Sequence, residues 1–154
     1  MNAIELIKHW MSDIELDAQA FNQASGVCAF RIADKHDCHL EVVQGSDDLF
    51  FFMDLLASEG GELGRKRIDQ AMRLNAYGIE TSGGVLGWDE ARDMIHLSYR
   101  LNPESLSPVA FSNIIFNLVD AGQRCTAALR FEKDVLLTQQ SHRHASSWFQ
   151  PIKV

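Results

Sequence analysis

The chain has 154 residues, 46% hydrophobic and 23% charged, which fits one globular domain with a real core and excludes a disordered chain. No run approaches the roughly 18 consecutive apolar residues of a membrane span, and the start Met1-Asn2-Ala3-Ile4-Glu5 lacks a basic region leading into an apolar signal core, so a cytoplasmic protein is expected. The 14 Lys and Arg against 21 Asp and Glu give a net charge of −7, a field that repels phosphate backbones and argues against a nucleic-acid partner.

Ile4, Ile7, Met11, Ile14, Ala18 and Phe21 recur at steps of three and four, the stripe of an amphipathic helix over residues 3–21. Leu6, Trp10 and Leu16 widen that stripe. Asn22 to Gly26 supplies the stop signal. The period then changes to two. Cys28, Phe30 and Ile32 alternate with Ala29 and Arg31, and Leu40 and Val42 alternate with His39 and Glu41, as strands do. Polar turns at 34–37 and 45–48 lead to a third strand over 49–56, so an antiparallel meander is expected. In that strand Phe50, Phe51 and Phe52 are consecutive, which makes both faces apolar. Either the monomer covers both faces, or one is kept for another chain.

Residues 58–64 read as a glycine-containing loop, and Arg65 to Tyr77 as a second helix carrying Ile68, Ala71, Met72 and Leu74. Its opening Arg65-Lys66-Arg67 opposes the helix dipole and reads as a solvated run, the alternative being a run that answers acidic groups on another chain. Val85 to Trp88 and Met94 to Leu101 form a hairpin around a charged turn. Ser107-Pro108 then caps a long helix whose stripe runs through Phe111, Ile114, Ile115, Leu118, Val119, Gly122 and Cys125 toward Leu129. After Glu132 the periodicity dissolves into a polar tail with a late apolar group at Trp148 and Phe149. The order of elements is α+β: helix, three-stranded meander, helix, β-hairpin, long helix, in two layers. A domain over 1–131 and a C-terminal tail over 132–154 follow.

Chemistry-bearing motifs are scarce. Gly60 to Arg67 fails the phosphate-loop spacing, and no Gly-x-Ser-x-Gly occurs. Cys28, Cys38 and Cys125 are odd in number and lack metal-ligand spacing. Cys28 and Cys125 fall on apolar faces, whereas Cys38 lies in or beside a turn, where a thiol reacts more readily. His142 and His144 read as a surface pair rather than metal ligands. Residues 1–60 hold 11 acids and 3 bases and residues 61–154 hold 10 acids and 11 bases, so the acidic front half either receives a basic partner or simply aids solubility. Binding is expected rather than catalysis, with no metal and no cofactor.

Ala71 to Leu129 resembles the Tir chaperone family, the class I chaperones of bacterial type III secretion. The resemblance rests on a helix ending in Leu74-Asn75, then Gly83-Gly84-Val85-Leu86-Gly87-Trp88, a charged turn, Ile95-His96-Leu97-Ser98-Tyr99-Arg100-Leu101 and the helix from Ser107. With the layout before it, the resemblance covers roughly residues 1–130, and the tail departs from it. It implies a cofactor-free homodimer that binds the N-terminal segment of one or a few secreted effectors and delivers it to the secretion ATPase. By position it also implies dimer contacts at Ile68, Met72, Leu86 and Trp88, for which burial in the monomer core is the alternative. An extended segment adds to a strand edge or lies in apolar grooves, which Leu6, Trp10, Phe30, Ile32, Leu40, Val42, Phe50 and Phe52 are candidates to form. A regulatory protein of the same fold that sequesters a transcriptional regulator, and a small enzyme using Cys38 or the histidines, are the competing readings.

Overall fold

The computed structural model describes residues 2–16, 20–32, 36–43, 45 and 48–131. The tail over 132–154, with His142, His144, Trp148 and Phe149, lies outside the described residues. Helix α1 (Ala3–Asp13) opens with a reciprocal cap, in which the Asn2 side chain accepts from the Glu5 amide at 2.9 Å and the Glu5 carboxylate accepts from the Asn2 amide at 3.2 Å. That pairing satisfies two of the donors every helix start leaves free. The helix is shorter than the periodicity predicts. Glu15 takes a left-handed φ of 55°, the chain turns, and Phe21 enters a short strand instead of a helical stripe. The buried face also differs from the predicted stripe, because it is Ala3, Leu6, Ile7, Trp10 and Met11 that are covered while Ile4 stays exposed.

One antiparallel sheet of six strands carries the fold: β1 (Phe21–Asn22), β2 (Val27–Ile32), β3 (His36–Val42), β4 (Leu49–Ala57), β5 (Val85–Asp89) and β6 (Met94–Leu101), in spatial order β1-β2-β3-β4-β6-β5. The expected meander and hairpin are therefore parts of a single sheet, joined by pairing between β4 and β6. Because strand side chains alternate between faces, one face gathers Cys28, Phe30, Cys38, Leu40, Leu49, Phe51, Met53, Ile95, Leu97 and Leu101, all buried. Helix α1 and helix α3 (Pro108–Leu129) cover this face. Trp10 meets Phe30 and Phe111 edge-on, with ring centroids 5.0 and 5.6 Å apart. The start of α3 is as predicted, with the Ser107 hydroxyl accepting from the Ala110 amide at 3.2 Å and Pro108 in the first turn.

Helix α2 (Gly61–Leu74) begins earlier than expected. Gly60 takes a left-handed φ of 62°, a conformation open to glycine without strain, and this turns the chain into the helix four residues before the basic run. That shift changes the role of Arg67. Instead of standing in solvent it is 6% exposed, donating from Nη1 to the Ala57 carbonyl at 2.9 Å and from Nε to the Leu129 carbonyl at 3.3 Å. One guanidinium thus ties α2 to the ends of β4 and α3. Among the described residues no helix is long and apolar enough to cross a membrane.

Candidate protein-binding surfaces

The described helices pack on one face of the sheet or beside β5, and the other face carries none of them. The register places Ala29, His39, Phe52, Ser98 and Val85 in one row across five strands, and Val27, Glu41, Phe50 and Arg100 in the next. Phe52 is the centre of this surface. His39 stacks on it at 4.7 Å and 18°, Phe50 at 6.1 Å and 23°, and His96 meets its edge at 5.9 Å. His96 in turn lies over Gly87, where a Cβ would stand 2.8 Å from Nε2; the glycine gives the ring its place. Burial pulls the pKa of His39 below the ordinary histidine value, outweighing the opposite pull of Asp54 and Glu41.

Around the rings the charges are largely matched. Arg31 pairs with Asp37 at 2.6 Å, Arg92 with Asp54 at 3.0 Å and Asp89 at 2.7 Å, and Arg100 with Asp48 at 2.5 Å. Glu41 is half-buried opposite Phe50, and its carboxylate makes no hydrogen bond or ion pair among the described residues.

The eight residues nominated for apolar grooves do not share one surface. Leu6 and Trp10 of α1 and Phe30 and Leu40 of the sheet are buried in the core between helices and sheet, and Ile32 and Val42 pack partly buried against the same core. Phe50 and Phe52 stand on the opposite face, half-exposed. Strand alternation separates the two groups, and the sequence pattern alone does not reveal which face the helices take.

A second surface lies at the β5 edge of the sheet. Met72 of α2 and Trp88 of β5 are exposed there, Met72 at 67%, and Tyr77, at 96%, and Ile79 are exposed in the connection between α2 and β5. Of the four residues nominated for a dimer contact, Met72 and Trp88 are exposed, Ile68 is half-buried and Leu86 is buried. The Trp88 indole donates to Asp93 Oδ1 at 3.2 Å. Asp93 also accepts from the Ser58 hydroxyl and from the Glu59 amide, and these bonds, the Ser58 one foremost, hold its carboxyl below the usual carboxylate range. Tyr77 and Ile79 were not nominated from the sequence, since neither belongs to a periodic stripe.

A third surface, also missed, is a groove between α1 and β1 lined by Lys8, Met11, Ser12, Leu16, Phe21 and Gln23. Its signal was the pair Leu16 and Phe21, absorbed into an overlong helix.

None of this resembles a catalytic constellation. Cys38 is not in a turn but in β3, 3% exposed, with burial pushing its thiol up to about 12. Cys28 is pushed up to about 11 by the same cause. Among the described residues no cluster of His, Cys, Asp and Glu has the arrangement of a metal site.

Comparison with solved structures returns the same architecture. The chain superposes on a protein of the ExsC-ExsE complex with a TM-score of 0.63 at 15% identity, covering 81% of this chain and 91% of the other. For the HopA1-SchA chaperone-effector complex the TM-score is 0.61 at 17% identity, over 80% and 91% of the two chains. For the ExoU-SpcU complex of the Pseudomonas aeruginosa type III secretion system it is 0.59 at 18% identity, over 80% and 98%. At these identities the likeness is one of fold. No curated protein matches the sequence significantly. The model of the Tir chaperone protein (CesT) family matches residues 5–125, most of the chain, and the chain belongs to that family.

Proposed function

We propose that the protein is a type III secretion chaperone that binds the N-terminal region of one or a few effectors, keeps it non-globular and delivers it to the secretion ATPase. The observation that carries this reading is the helix-free sheet face, where Phe50 and Phe52 stay half-exposed in a member of this family. A stacked aromatic surface of this kind gains from burial against apolar side chains of another chain. The structural neighbour SchA was solved with HopA1 in what is described as a chaperone-effector complex, in keeping with the same role here. The groove along Met11, Leu16 and Phe21 offers an apolar track at the other end of the sheet. No step of this function calls for a cofactor, catalysis, nucleic acid or membrane insertion, and it takes place in the cytoplasm.

The working form is a homodimer. Met72 and Trp88 form the contact, with Tyr77 and Ile79 beside them, and a two-fold interface removes this exposed apolar surface from both copies at once. Light scattering is expected to give about twice the chain mass of 17.3 kDa. The chaperone domain spans 1–131, with 132–154 appended as a tail.

The deciding experiment is co-purification of the tagged chain from its native cell, with identification of what it carries. A secreted protein retained through its N-terminal region, and lost with Phe52→Glu, supports the reading. A transcriptional regulator as the sole captured chain replaces it with the regulatory one.

A further inference from the structure

We infer that the helix-free face recognises an arginine-bearing apolar segment, whose guanidinium lies on the Phe50–Phe52 stack and pairs with Glu41. The inference rests on the effector-binding reading above and specifies the chemistry of the segment. Charge is the first observation. Among the described residues the face carries Asp37, Glu41, Asp48, Asp54 and Asp89 against Arg31, Arg92 and Arg100, five acids and three bases. Every one of these acids but Glu41 has an arginine partner. A half-buried carboxylate without a counter-charge attracts a cation from whatever covers it.

The surroundings of Glu41 select among cations. It stands in register with Phe50 on one side and Val27 on the other, and Phe50 stacks on Phe52. A guanidinium is planar, weakly hydrated and able to stack on a ring while donating two parallel bonds to a carboxylate, which an ammonium cannot do. Arg100 lies beyond Phe50 in the same row, held by Asp48, so the incoming cation is directed to the Glu41 side. Val27 and Ala29 lie on the β2 side of the same two rows with small or aliphatic side chains. They suit the apolar residues on either side of the arginine.

The test uses a fluorescent synthetic peptide of alternating leucine and arginine, and its counterpart with citrulline, the neutral isostere, in place of arginine. Anisotropy titrations on the full chain are expected to show about tenfold tighter binding of the arginine peptide, the size of one stacked ion pair. Glu41→Gln should shrink that preference to about twofold or less, and Phe52→Leu should weaken the arginine peptide with the melting temperature held. Equal affinity of the two peptides, no binding of either, or a preference unchanged in Glu41→Gln overturns the inference. The co-purification separates it from the broader function. A captured effector whose retention ignores Glu41→Gln leaves the chaperone reading standing and removes this one, whereas a Glu41-dependent arginine preference with no secreted chain captured does the reverse.

Discussion

The side chain of Asn75 closes both outward backbone groups of Leu86: its Nδ2 donates to the Leu86 carbonyl at 3.0 Å and its Oδ1 accepts from the Leu86 amide at 2.8 Å. Leu86 lies on β5, an edge strand of the sheet, where unpaired amides and carbonyls invite another strand. The amide of Asn75 imitates that strand for one residue. It also fastens the end of α2 to the edge, fixing the surface that carries Met72 and Trp88. Asn75→Ala is expected to lose about 1–2 kcal/mol in urea denaturation. Asn75→Asp should lose as much or more, because a carboxylate keeps the acceptor but sets a negative charge against the Leu86 carbonyl. A stability within error of the wild type in both variants would show that water replaces the clamp at no cost.

Three consecutive phenylalanines with different surroundings make a sharp internal comparison. Phe51 is fully buried against the helices, while Phe50 and Phe52 face the open side. Phe51→Glu should unfold the protein, since an unpaired carboxylate in that core costs several kcal/mol on top of the lost aromatic packing of about 3–5 kcal/mol. Phe50→Glu and Phe52→Glu should leave a cooperative melt and abolish effector capture. Loss of folding in all three would mean that the open face is needed for the monomer itself.

His39 gives the stability a pH dependence near neutrality. Burial holds its folded-state pKa below the free value of 6.5, so the unfolded chain takes up a proton at a higher pH than the folded chain does. Its contribution is therefore complete above 6.5 and is lost as the pH falls from there through the folded value. Asp37, Asp89 and Asp93, whose carboxyls are lowered by hydrogen bonds from Arg31, Arg92 and Ser58 respectively, lose their contributions only below about pH 4, a separate window. Urea midpoints between pH 7.5 and 5 should fall for the wild type and stay flatter for His39→Gln. Parallel curves would place the proton uptake elsewhere.

Much of this architecture is legible in the sequence because period and caps carry it. The alternation at Cys28 to Ile32, the Ser107-Pro108 start and the stripe of α3 are local signals, and the structure agrees with them. The errors fall where a long-range contact decides. Nothing near Glu15 marks the end of α1, and the burial of Arg67 depends on carbonyls at Ala57 and Leu129 that only the folded chain brings close. The candidate surfaces depend on such contacts even more. Parity separates Phe50 and Phe52 from Phe51, but which set faces the helices is a property of the packed sheet. Leu6 and Trp10 look like surplus apolar residues on a helical wheel, yet they are among the most buried side chains in the chain.

Arg67 offers the most demanding check on that packing. Its guanidinium is the donor for carbonyls at the ends of two elements, Ala57 at 2.9 Å and Leu129 at 3.3 Å, and it pairs with Glu59 at 2.9 Å. Removing it strands those buried carbonyls and opens a cavity between α2 and α3, so Arg67→Ala is expected to cost about 3–5 kcal/mol. Arg67→Lys should recover only part of this, because a single ammonium lacks the fork that reaches both carbonyls. The neighbouring Arg65 is exposed, and Arg65→Ala should change stability by no more than about 0.5 kcal/mol. Chemical denaturation of the three variants side by side decides the matter: if Arg67→Ala is as mild as Arg65→Ala, the basic run is solvated after all and the tie between β4, α2 and α3 does not hold.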